Sequence, residues 1–141
     1  MKIVIIEDED LAARRLERMI NEIDASMEVV AKLESVVDSV EWFKNNEEPD
    51  LILLDIHLED NLSFAIFDHI SITCPIVFTT ATDELSTRAF TLKKIDFLLK
   101  PIVKNELIRI IEKYRHWPES ERRIIDASMF TDINHKKPTQ P

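Results

Sequence analysis

The sequence predicts an α/β fold, a five-stranded parallel sheet with helices on both faces. Three observations carry this. Short apolar, β-branched runs alternate with stretches whose apolar residues recur at helical spacing, five times over. Runs such as Ile3–Ile6 and Leu51–Leu54 are apolar at every position, as strands covered on both faces are. The 141 residues, 45% of them hydrophobic, suffice for one domain with a core.

The elements follow in order. Ile3–Ile6 is the first strand. Ala12, Leu16, Met19, Ile20 and Ile23 then share one helix face. Met27, Val29, Ala31 and Leu33 alternate as a second strand. Ser35-x-x-Asp38 resembles a capping box with Asp in place of Glu, and Val36, Val40 and Phe43 continue the helix until Pro49. Leu51–Leu54 is the third strand, and Leu62, Ile66 and Ile70 mark a third helix. Ile76–Phe78 is the fourth strand. Leu85, Ala89 and Leu92 suggest a fourth helix opened by Thr82 or Asp83. Phe97–Leu99 completes the strand set, and Val103, Leu107, Ile110, Ile111 and Tyr114 give a fifth helix. The pattern stops after Trp117. The expected domain is therefore 1–117, with 118–141 a linker or tail toward a further domain. Within it, Ile124–Phe130 has apolar residues without a period, and His135–Pro141 reads as extended linker.

Composition removes several function classes. Gly is 0, which excludes a Walker loop and a GxGxxG dinucleotide fingerprint, since both need backbone approach to phosphate. One Cys allows no internal disulfide and no multi-Cys zinc site. No apolar run reaches about 18 residues, so no membrane span is predicted. The acidic start MKIVIIEDED is unlike a signal peptide, and a cytoplasmic location is expected. Residues 1–82 carry 18 Asp/Glu against 6 Lys/Arg, while residues 83–141 carry 9 against 12. An acidic domain of net charge −9 repels a phosphate backbone, so this domain is not expected to grip nucleic acid itself.

Right-handed crossovers bring the carboxyl ends of all five strands to one edge, where such sheets place their chemistry. The strand exits there are Glu7-Asp8-Glu9-Asp10, Asp55, Thr79-Thr80-Ala81 and Lys100-Pro101. Glu9 and Asp10 read as acids at a helix start. Glu7, Asp8 and Asp55 remain as a carboxylate cluster suited to Mg²⁺, which keeps several waters and takes few carboxylates plus a phosphate oxygen. Asp55 follows the apolar strand LILL, which makes it the best-held candidate nucleophile for an aspartyl phosphate, with Lys100 the neutralising cation. Taken singly, Asp55 is equally a helix cap, Thr80 a strand end, Lys100 the lead into a turn, and Cys74 a packing residue. His69, His116 and His135 carry no assignment.

Glu7-Asp8, Asp55, Thr80-Ala81 and Lys100-Pro101, each after its strand, resemble the receiver domain of two-component response regulators over residues 1–117. DIHLED, RAF and IDFLLKPI are similar to receivers attached to LytTR-type DNA-binding domains. The resemblance implies the flavodoxin-like strand order 2-1-3-4-5 and a phosphoacceptor rather than a classical enzyme. It implies that Asp55 accepts a phosphoryl group from a histidine kinase. Asp8, Asp55 and the His57 backbone carbonyl would hold Mg²⁺ directly, and Glu7 mainly through water. Lys100 would contact the phosphoryl group, and the Lys100–Pro101 bond would often be cis. Thr80 and Phe97 would be the switch residues, and the fourth helix, fifth strand and fifth helix would form a dimerisation surface. DNA would be reached only through an output domain outside this sequence. Two positions depart from the family pattern. Phe97 stands where Tyr is common, and Asp60-Asn61 replaces a loop that often has Gly, with Asn tolerant of the left-handed backbone. The alternatives are a haloacid-dehalogenase-like phosphohydrolase, a flavodoxin-like binding module and a degenerate receiver used only for interaction. The first wants a second acid two residues after Asp55, where this sequence has His57.

Overall fold

The computed structural model describes residues 1–81 and 95–130. Its strands are β1 (Lys2–Ile6), β2 (Glu28–Leu33), β3 (Leu51–Asp55), β4 (Ile76–Thr80) and β5 (Asp96–Leu99). Its helices are α1 (Asp10–Ile23), α2 (Val36–Asn45) and α3 (Lys104–Arg115). The strands form one parallel sheet in the order β2-β1-β3-β4-β5. That is the predicted order. The fourth predicted helix, with Leu85, Ala89 and Leu92, lies outside the described residues.

Alternation along each strand divides the core into two layers. Ile3, Ile5, Leu51, Leu53, Val77 and Leu98 pack against α1 and α3. Val4, Ile6, Ile52, Leu54, Ile76 and Phe78 pack on the other face, with α2 and the segment after β3. β2 departs from this simple alternation. Ile3 pairs with Val29, but Val4 pairs with Ala31, so one residue is extra on β2. Met27 and Val29 therefore contribute to the α1 layer, while Ala31 and Leu33 contribute to the α2 layer. A period-two pattern that looks continuous in the sequence changes face at a bulge.

The α2 start forms the Ser35 half of the predicted capping box. Ser35 Oγ accepts from the Asp38 N–H at 3.0 Å. The third predicted helix is instead a 3₁₀ turn, Ser63–Asp68. In a 3₁₀ turn residues three apart eclipse, and the buried residues Ser63, Phe64, Ile66 and Phe67 fit that repeat better than spacing of four. His69 and Ile70 close the turn, their N–H groups donating to the Ile66 carbonyl at 3.1 and 3.3 Å.

Packed chain continues beyond Trp117. Ile72 and Ile125 form an antiparallel bridge, with N–H···O distances of 3.0 and 2.7 Å. A further 3₁₀ turn, Ala127–Phe130, places Phe130 at 0% exposure, stacked on Phe64 and Phe67 at centroid distances of 4.9 and 5.1 Å. Ile125 and Phe130, in the segment read as tail, thus join the core layer that holds Phe64, Ile66 and Phe67.

Candidate functional site

Glu7 follows β1, Asp55 ends β3, and β1 and β3 are neighbours, so their carboxylates meet at one edge of the sheet. Both are buried, at 6% and 8% exposure. Asp8 is more open to solvent. One oxygen from each of Glu7, Asp8 and Asp55 lies within 4.8 Å of the others. Lys100 leaves β5, its backbone N–H held by the Thr80 carbonyl at 2.8 Å. Its ammonium donates to Glu7 Oε1 at 2.7 Å and to Asp55 Oδ2 at 2.8 Å. The Lys100–Pro101 bond is cis.

Three carboxylates against one ammonium leave the cluster short of positive charge. The titration behaviour reflects this. Burial works against a charged Lys100, but the hydrogen bonds it donates to Asp55 and Glu7 outweigh it and raise its pKa. Burial, together with hydrogen bonding to and repulsion from Glu7, pushes the Asp8 carboxyl above its usual range. A further cation would relieve that cost. All three side chains offer hard oxygen donors and Asp8 faces water, which fits a divalent ion that keeps part of its hydration.

The remaining predicted residues lie around this cluster. The His57 N–H points to Asp55 Oδ1 at 3.4 Å, and His57 forms an antiparallel bridge with Leu62. Thr80 is buried at the end of β4, one residue past Thr79, the register partner of Asp55. Its hydroxyl donates to the Ala81 carbonyl at 3.2 Å and does not reach the carboxylates. Phe97 pairs with Phe78 across β4 and β5 and stacks on its ring at 5.8 Å. Glu9 and Asp10 begin α1 as expected, with Asp10 in an ion pair to Arg14 at 2.8 Å. Cys74 is fully buried, and burial raises its thiol pKa, in keeping with a packing role.

Other residues take roles that no sequence pattern marks. Glu48 Oε1 accepts from the backbone N–H groups of Thr73 and Cys74, both at 2.9 Å, holding the entry to β4. Asp60, notable in sequence only as part of a turn without Gly, accepts from the N–H groups of Val36 and Val37 at 2.9 and 3.2 Å. Burial opposes its charge, yet these backbone donors outweigh it and lower its pKa. Its only sequence signal is a carboxylate in a short polar loop, which does not identify a partner 24 residues away.

Comparison with known proteins identifies the family. Residues 3–112 match the family model described as response regulator receiver domain. The chain is 32% identical over 116 residues to "Sensory transduction protein LytT" of Enterococcus faecalis, covering 80% of this chain and 47% of that protein. It is 30% identical over 138 residues to "Transcriptional regulatory protein YpdB" of Escherichia coli, covering 95% and 56%. It therefore spans about half the length of these relatives. Among solved structures, the response regulatory domain of protein mrkE from Klebsiella pneumoniae matches with a TM-score of 0.68 at 30% identity, covering 82% of this chain and 95% of that one. The hydrolase, flavodoxin-like and degenerate readings are not favoured by these matches. Among the described residues no helix is long and apolar enough to cross a membrane. Strand order, the acid–lysine cluster at the strand ends and the matched span converge, and the chain belongs to the response regulator receiver domain family.

Proposed function

We propose that this domain is a phosphoacceptor switch in which Asp55 receives a phosphoryl group from the phosphohistidine of a sensor histidine kinase. An Asp55 carboxylate oxygen attacks phosphorus, a P–O bond forms, the P–N bond breaks, and the imidazole leaves with its electron pair. Lys100 neutralises charge on the transferred group as it arrives. It also holds Asp55 in place through its bridge to Glu7. Asp8, Asp55 and the His57 carbonyl would hold Mg²⁺ directly and Glu7 mainly through water. The ion, when bound, supplies positive charge to the phosphoryl oxygens. Thr80 and Phe97 then pass the change to the surface around β5 and α3, where two copies pair. Residues 1–117 form the receiver as the sequence reads it, with the following segment leading toward a LytTR-type DNA-binding domain that controls transcription in the cytoplasm. The relatives' names, one of them a transcriptional regulatory protein, support that output.

The observation that carries this reading is the Lys100 ammonium, 2.7 and 2.8 Å from two buried carboxylates, beside a third. The test is acetyl phosphate with Mg²⁺ followed by intact mass. The wild-type chain should gain one phosphoryl group, about 80 Da, labile to hydroxylamine as an acyl phosphate is. Asp55→Asn should gain none. Undiminished labelling of Asp55→Asn would move the acceptor elsewhere.

A further inference from the structure

Residues 56–63, which follow Asp55, fold back on themselves. The Ser63 N–H donates to the Ile56 carbonyl at 2.8 Å, and the Leu58 N–H donates to the Asn61 carbonyl at 3.0 Å. His57 and Leu62 pair as an antiparallel bridge. The result is a small hairpin with Glu59 and Asp60 at its tip. Its base is fixed by β3 and by the 3₁₀ turn from Ser63. Its tip is fixed by Asp60, whose two oxygens accept from Val36 and Val37.

Those two N–H groups belong to the first turn of α2, which has no intrahelical acceptors for them. Ser35 serves the next one, on Asp38. The α2 cap is therefore shared between a local residue and one that arrives from the acceptor loop. Val36 and Ser39 anchor this end of α2 in the core. A loop clasped to such a helix start is restrained at both ends, and the backbone around His57 lies between the two anchors.

We propose that Asp60 is a positioning residue for phosphoryl transfer: by clasping α2 it holds the loop that presents the His57 carbonyl to the metal. This rests on the Mg²⁺ reading given above. A site with few protein ligands depends on each being in place before the ion arrives, because ordering the loop on binding weakens affinity. Asp60 touches neither metal nor phosphate and acts only through the loop.

The experiment compares Mg²⁺ titrations of the full chain by calorimetry for wild type, Asp60→Ala, Asp60→Asn and Ser35→Ala. Ser35→Ala is the control, since it strips a cap from the same helix end without touching the loop. Asp60→Ala should weaken Mg²⁺ binding about tenfold, while Ser35→Ala stays within about twofold of wild type. Asp60→Asn, which keeps one acceptor oxygen and the shape, should fall between. Amide exchange should show Val36, Val37 and Leu58 losing protection together in Asp60→Ala, with β1 and β3 unchanged. Wild-type affinity in Asp60→Ala would overturn the proposal. So would an equal loss in Ser35→Ala, because helix stability alone would then explain it. Wild type that takes no Mg²⁺ would overturn the underlying reading, and this proposal with it.

Discussion

Phe130→Ala tests whether the folded unit extends past Trp117. The ring is fully buried, stacked on Phe64 and Phe67 and edge-on to Phe78 at 6.2 Å. Truncating such a side chain costs about 3–5 kcal/mol through lost transfer energy and the cavity left behind. Its segment can also undock. That caps the loss at the free energy with which residues 118–130 bind the domain, so about 3 kcal/mol, the lower end, is expected. Against a total of about 5–15 kcal/mol this is a large fraction. Urea denaturation followed by circular dichroism reads it as a fall in midpoint at nearly constant slope. Phe130→Leu should recover most of the loss. Trypsin should cut Phe130→Ala faster at Arg122 and Arg123, which flank the Ile72–Ile125 bridge. A loss below about 1 kcal/mol, with unchanged cleavage, would refute the reasoning and place the boundary at Trp117, where the apolar pattern ends.

Three further outcomes are expected. Asp8 has a raised pKa, so its ionised form costs the folded state; that cost sets in as pH rises above 3.8 and is complete above the folded value. Asp8→Asn should therefore raise the denaturation midpoint of the metal-free protein at pH 7 while abolishing Mg²⁺ binding in calorimetry; a lowered midpoint would contradict the sign. Asp24 is held near a pKa of about 2 by hydrogen bonds from Ser26 and then from Arg115, so its contribution is present above 3.8 and fades as pH falls toward about 2. Asp24→Asn should flatten the acid-unfolding curve across that window, and an unchanged curve would show that the Asp24–Arg115 pair adds nothing to stability. Beryllofluoride with Mg²⁺ should raise the dimer fraction in sedimentation, and Thr80→Ala should blunt that rise with phosphoryl uptake largely intact; a monomer under all conditions would remove dimerisation through the β5–α3 surface.

The strands and the acid–lysine cluster were legible in the sequence for a shared reason. Leu51–Leu54 is apolar throughout because both its faces are covered, and Asp55 is conspicuous because it ends that run. Glu7 and Lys100 stand out likewise, polar residues directly after apolar strands. The third helix differs from the sequence expectation because Leu62, Ile66 and Ile70 satisfy a spacing of four, while the buried residues of the 3₁₀ turn, Ser63, Phe64, Ile66 and Phe67, repeat every three. In so short a segment the two periods differ by only one or two positions.

The order of residues alone establishes which segments are strands, which strand ends carry carboxylates, and that Lys100 exits among them, because burial on one element leaves its period in that element's own sequence. Tertiary structure decides the rest. The face change in β2 depends on a bulge against β1. Asp60 finds its partners 24 and 23 residues back, and Phe130 finds Phe64, Phe67 and Phe78 far upstream. Lys100 reaches Glu7 across 93 positions. No local period encodes such pairs. They exist because the sheet order brings distant segments to one edge or one face, where each buried ring or unsatisfied N–H needs a partner that its own element cannot supply.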